Sequence, residues 1–314
     1  MSQRWTEVAD QTGRTALITG ANSGLGLRSA EVLAAWGARV LLGCRSAERG
    51  AAALEQVRAV ASGAEPELVR LDLADLTSVR EAAEAVRELT ADKLDVLMNN
   101  AGAIPTARGR TADGFELQFG TNHLGPAALT WLLMPALRGS AAGRVVALSS
   151  VAAVGRHLHL DDPNAEHRPY HAPAAYGHAK LASQTFGVEL DRRLRAAGSP
   201  VLSVLAHPGY SATDLITNMA DSFRNPLLRN TSRKITQLGN SLLGQRVEQG
   251  ALPQLYAATA REVEGGDYLG PDSWFGFRGN PAKVRTLAAA RDPRTGAALW
   301  DLTAELTGIT PDPH

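Results

Sequence analysis

Six short runs of almost unbroken apolar residues constrain this chain more than any other feature. They are RTALIT (14–19), ARVLLG (38–43), ELVRL (67–71), LDVLM (94–98), RVVAL (144–148) and VLSVL (201–205). Runs of this kind, without polar alternation, suit strands buried on both faces. Longer stretches with helical spacing lie between them, at about 24–36, 47–61, 76–90, 115–137 and 174–197. This alternation predicts βαβ units and an α/β fold. The expectation is a single Rossmann-like, doubly wound domain over 14–314. Its sheet is mostly parallel and seven-stranded, with helices on both faces. Residues 1–13 form a polar lead segment, and a further helical stretch is expected near 297–306.

Composition narrows the function classes. With 44% hydrophobic residues among 314, the chain can bury a large core, although aromatics are only 5%. Lys plus Arg and Asp plus Glu both number 32, which argues against a dedicated nucleic-acid binder. The single cysteine, Cys44, can form no internal disulfide and fits a reducing compartment such as the cytoplasm. The N-terminus lacks the apolar core of a secretory signal. No run of about 18 apolar residues exists, so no transmembrane segment is expected.

The first run leads directly into TGANSGLG (19–26), with Gly20, Gly24 and Gly26. A tight strand-to-helix turn built from small residues lets a backbone approach a pyrophosphate. The following helix then offers free N–H groups and its positive dipole end. The spacing is GxxxGxG, and no Gly-Lys-Ser/Thr follows, so this is not a P-loop. An acid at the end of the second strand would favour NAD. That position holds Cys44, followed by Arg45. A guanidinium there can clamp a 2′-phosphate, which points to NADP(H).

Tyr176 and Lys180, in PAAYGHAKLASQ (173–184), are four apart and share one helical face. An ammonium near a phenol favours the phenolate and should lower its pKa from about 10. Such a pair can exchange a proton near neutral pH. Taken alone, Tyr-x-x-x-Lys is common on helices.

Seven motifs in order change that assessment: TGANSGLG, LDL with Asp72, NNAG (99–102), Asn122 in TNHLG, VVALSS (145–150), YGHAK (176–180) and HPG (207–209). Together they make the chain, over roughly 14–270, resemble the short-chain dehydrogenase/reductase family. The resemblance implies hydride transfer between NADP(H) and a carbonyl or alcohol of a small molecule. Catalytic roles then fall to Asn122, Ser150, Tyr176 and Lys180. Tyr176 is the general acid or base. Lys180 binds ribose hydroxyls and depresses the tyrosine pKa. Ser150 holds the substrate oxygen, with Ser149 as the alternative. Asn122 pins a water that relays protons to Lys180.

Cofactor contacts are implied for Gly20, Asn22, Ser23, Gly24, Leu25, Gly26 and Arg45 in the first half of the cradle. Asp72, Leu73, Asn99, Ala101, Gly102, Pro208, Gly209 and Thr213 complete the set, with Tyr176 and Lys180. Asn99 is also expected to stabilise the central strand. A homodimer or homotetramer is the family expectation.

Ser150 and Tyr176 stand 26 positions apart, about twice the usual family separation, because of an insert at 155–173. A similar insert, ANSGLG and GCRS resemble the retinol dehydrogenase-like subgroup and its bacterial relatives, which prefer NADP(H). The insert holds His157, His159, His167 and His171 beside Asp161 and Asp162. We read it as a solvated, charge-rich loop rather than a metal site. Residues 212–246 are expected to cap the substrate pocket. Leu228, Ile235, Leu238 and Leu242 form an apolar stripe there, which an oligomer contact or a membrane surface could also use. Two other functions are compatible with the scaffold: a non-catalytic NADP(H)-binding regulator, and reduction of a C=C bond.

Overall fold

Each of the six apolar runs becomes a strand: Thr15–Thr19 (β1), Arg39–Cys44 (β2), Glu67–Arg70 (β3), Val96–Asn99 (β4), Arg144–Leu148 (β5) and Leu202–Ala206 (β6). Two more follow, Tyr268–Ser273 (β7) and Arg278–Lys283 (β8). The computed structural model describes residues 8–104, 107–209, 246–273 and 276–313. Within them the sheet runs β3-β2-β1-β4-β5-β6-β7-β8. All pairings are parallel except β7–β8.

The sheet thus has eight strands where the sequence predicts seven. The additional one, β8 (RGNPAK), is an antiparallel edge strand with a single neighbour. Edge strands tolerate Pro and Gly and need no apolar run, so the usual signal is missing.

Among the described residues the α-helices are Gly24–Ala35 (α1), Ala47–Arg58 (α2), Leu76–Thr90 (α3), Leu117–Phe119 (α4), Gly125–Arg138 (α5), Ala172–Ala196 (α6), Val247–Gly250 (α7), Leu252–Thr259 (α8) and Pro293–Thr307 (α9). The single helix expected over 115–137 is broken by a π-helical turn at Gly120–Leu124. Wide turns of this kind cluster at functional sites, and this one carries Asn122.

Successive strand residues point to opposite faces of the sheet. Leu17, Leu41, Leu97 and Val145 face one side and pack under α3, α5, α6 and α9. Ile18, Leu42, Met98 and Val146 face the other, under α1, α2 and α8. Three of the scarce aromatics meet where α9 docks. Trp300 stacks on Phe186 at 5.2 Å and meets Trp131 edge-on at 4.9 Å. Among the described residues no helix is long and apolar enough to cross a membrane.

The insert is less solvated than its composition implies. Its four histidines are exposed. Other residues pin it to the start of α4: Tyr170 Oη donates to Glu116 Oε1 at 3.0 Å, Asn164 Oδ1 accepts from Glu116 N at 2.8 Å, and Arg110 pairs with Glu166 at 2.9 Å. Buried Glu116 in turn caps α4 through the amides of Gln118 and Phe119. The apolar stripe at 228–242, and with it nearly the whole expected cap, lies outside the described residues.

Candidate active site

In doubly wound sheets, ligands bind at the carboxyl ends of the strands where strand order reverses. Here the reversal falls between β1 and β4, and a groove of about 600 Å³ opens there. Its floor is the 19–26 turn. Gly24 has φ +54° and open space where a Cβ would stand. Gly26 must be glycine because a Cβ would lie 2.5 Å from Gly20 O. The first turn of α1 has no side-chain cap and no acidic residue, so its amides face the groove unclaimed by side chains. Asn22, Ser23 and Leu25 line the same floor.

At one end, β2 finishes on buried Cys44, whose thiol is pushed up to about 11 by burial. No carboxylate stands at that strand terminus. Exposed Arg45 and Arg49 border the groove beside it, with Asp72 and Leu73 opposite. Arg49 escapes motif reading. It sits one turn into α2, whose cap Ser46 accepts from Arg49 N at 3.3 Å. Asp72 folds back on Ala74 N at 3.0 Å.

At the other end, α6 carries Tyr176 and Lys180, and the Ser150 hydroxyl stands close enough to the Tyr176 phenol to pull its pKa down. Their meeting depends on Gly177, whose missing Cβ would lie 2.4 Å from Ala152 O. Glycine lets α6 press against the 3₁₀ turn Val151–Ala153 that Ser150 caps. Ser149 is buried and lines the groove, and its hydroxyl donates to Lys180 O at 3.2 Å. Lys180 Nζ donates to Leu148 O at 2.9 Å and lies 5.9 Å from the Tyr176 ring centre.

One expectation is reversed here. Burial drives the Tyr176 phenol up to about 12, and only the Ser150 bond pulls the other way. Burial also holds the Lys180 ammonium down at about 8. Desolvation outweighs the attraction that sequence spacing alone implies.

Behind Lys180 lies a cavity of about 20 Å³ lined by Asn99, Asn122, His123, Lys180 and Ser183. It is sized for one water. Asn122 is fixed in both directions to Ala103, Oδ1 accepting from its N at 2.7 Å and Nδ2 donating to its O at 2.9 Å. Asn99 departs from the cofactor role implied for it. Its Nδ2 donates to Thr130 Oγ1 at 2.9 Å, and Asn100, Ala101 and Gly102 take the groove wall. Strand alternation sends Asn99 to the opposite side.

Pro208 borders the groove, and Gly209 N donates to His207 Nδ1 at 3.2 Å. Buried His207 is held neutral, at about 4, and serves as that acceptor. Thr213 lies outside the described residues.

This geometry agrees with comparisons to known proteins. Residues 14–222 match the family model for short chain dehydrogenase. Over 301 residues the chain is 36% identical to retinol dehydrogenase 13 of Homo sapiens, covering 95% of this chain and 85% of that protein. A crystal structure of an uncharacterised protein from Mycobacterium paratuberculosis is 38% identical, covers 98% of both chains and superposes with a TM-score of 0.79. The RhlG/NADP active-site complex of Pseudomonas aeruginosa is 26% identical, with 82% of this chain and 94% of that one covered and a TM-score of 0.63. The chain therefore belongs to the short-chain dehydrogenase family of nicotinamide-dependent oxidoreductases, within its retinol dehydrogenase-like subgroup.

Proposed function

We propose that this protein is a cytoplasmic NADP(H)-dependent oxidoreductase that interconverts a carbonyl and a secondary alcohol on a lipophilic small molecule. One observation carries the reading. Tyr176, with the Ser150 hydroxyl beside its phenol, stands at one end of a groove whose other end offers two arginines and no carboxylate at the β2 terminus. The groove's residues fit a dinucleotide: open space at Gly24, an α1 terminus without a side-chain cap, and Arg45 with Arg49 for a 2′-phosphate. The NADP complex of RhlG supports the same choice. Groove-lining Ile104 and Leu117, and the retinol dehydrogenase relatives, support an apolar substrate.

When bound, the nicotinamide gives a hydride to the substrate carbon or takes one from it. The chain's own groups handle the oxygen. Ser150 donates a hydrogen bond to it as negative charge develops. Tyr176 delivers a proton in reduction and removes one in oxidation. Burial keeps the phenol protonated at neutral pH, the form in which it donates in reduction. Lys180 is placed to bind ribose hydroxyls, and the cavity beside Asn122 has room for one water that would return protons to it.

The test is NADPH oxidation against a panel of ketones, aldehydes and quinones. Turnover of an apolar carbonyl with NADPH preferred over NADH is expected. Equal use of NADH rejects the phosphate clamp. No turnover, with NADPH still bound, leaves a binding protein instead.

A further inference from the structure

Beneath the phosphate-binding turn lies an amide that no motif identifies. Gln254, on α8, is 1% exposed. Its Nε2 faces four acceptors: Ser29 Oγ at 2.7 Å, Leu25 O and Asn100 Oδ1 each at 3.3 Å, and Met98 Sδ at 3.4 Å. An amide nitrogen carries two hydrogens, so Ser29 takes one and the rest compete for the other. The oxygen, Oε1, is buried without a partner. The side chain therefore acts here as a donor only.

Its acceptors belong to two elements. Leu25 and Ser29 are on α1; Met98 and Asn100 are at the exit of β4. Leu25 and Asn100 border the groove. Asn100 in turn donates Nδ2 to Thr19 O at 2.8 Å, and that nitrogen stands 2.5 Å from where a Gly26 Cβ would be. One side chain, 229 positions from Leu25 in sequence, thus ties the start of α1 to the β4 exit under the turn.

We propose that Gln254 is a positioning residue for the dinucleotide. Through Asn100 and α1 it holds the 19–26 turn and the first α1 amides in the geometry that receives a pyrophosphate. This rests on the cofactor reading above. It concerns the part of the cradle that NADPH and NADH share, whereas Arg45 concerns only the 2′-phosphate.

Gln254→Met keeps the length and approximate volume but removes both donors. By titration calorimetry, Kd for NADPH and for NADH should both rise about tenfold, the scale of one or two lost buried bonds. The kcat at saturating NADPH should stay within about twofold. In an Asn100→Ala background the same substitution should add less than about twofold, since the path is already cut. An unchanged Kd with only a lower Tm would make Gln254 a packing residue and overturn the proposal, as would full additivity with Asn100→Ala. Should Gln254→Met not fold, Ser29→Ala removes the nearest acceptor. It should raise both Kd values about threefold, and no change would overturn the proposal equally. Tight NADH binding with no preference for NADPH strikes the phosphate clamp alone and leaves the role of Gln254 standing.

Discussion

The two ends of the groove are built on opposite terms. At the catalytic end, Lys180, Asn122 and Ser149 are buried and bonded to the protein, and burial moves the pKa of Lys180 and Tyr176 in opposite directions. At the other end, Arg45 and Arg49 are exposed. Screened surface groups add affinity with little effect on folding. Buried ones couple chemistry to stability, because the geometry that prepares them also strips their solvent. Substitutions at the catalytic end should therefore change turnover and stability together, whereas those at the arginine end should change only cofactor affinity.

Four substitutions can break that contrast. Tyr176→Phe should have the largest effect, cutting kcat by at least about 10³-fold while NADPH affinity stays nearly intact. Steady-state kinetics with a parallel binding titration measure both, and retained turnover would free Tyr176 from its role. Ser150→Ala should lower kcat by about 10²-fold, the usual loss for one donor to a developing oxyanion, with little change in cofactor Kd.

Lys180→Met should abolish most turnover yet stabilise the cofactor-free protein by about 2 kcal/mol at pH 7. The gain is the relief of charge burial less one hydrogen bond to Leu148 O. The lysine falls from 10.5 to about 8 on folding. Between those values the unfolded chain binds more protons, so the parent protein gains stability as pH rises through that window. Below about pH 8 the penalty is fully present. The Tm advantage of Lys180→Met should accordingly shrink toward pH 10, and an advantage independent of pH would remove charge burial as its cause. Arg45→Ala should be mildest, weakening NADPH about tenfold and NADH hardly at all. An equal loss for both would place Arg45 elsewhere than at the 2′-phosphate.

Much of the frame was legible before any coordinates. Doubly buried strands advertise themselves as unbroken apolar runs, so the six runs coincide with β1 to β6 to within about two residues. The features that escaped share a cause: each depends on a neighbour distant in sequence. β8 exists because β7 offers a pairing edge, although Gly279 and Pro281 spoil its local signal. Arg49 reaches the groove because β2 and α2 meet there. Gly177 matters because Ala152 O stands 2.4 Å from its absent Cβ, and Gln254 because α8 is folded under α1. Asn99 and Asn100 are adjacent in NNAG, yet only strand geometry decides which one faces the groove.

Sequence alone determined the alternation of strand and helix, the glycine turn, and a phenol and an ammonium four positions apart on one face. These are local properties, set by periodicity and by the space around a backbone. Tertiary structure decided the protonation of that pair. The pKa of a group depends on how much solvent surrounding elements remove, and no spacing within α6 encodes what β5 and the Ser150 turn bring against it. Tyr176 near 12 and Lys180 near 8 are products of that enclosure.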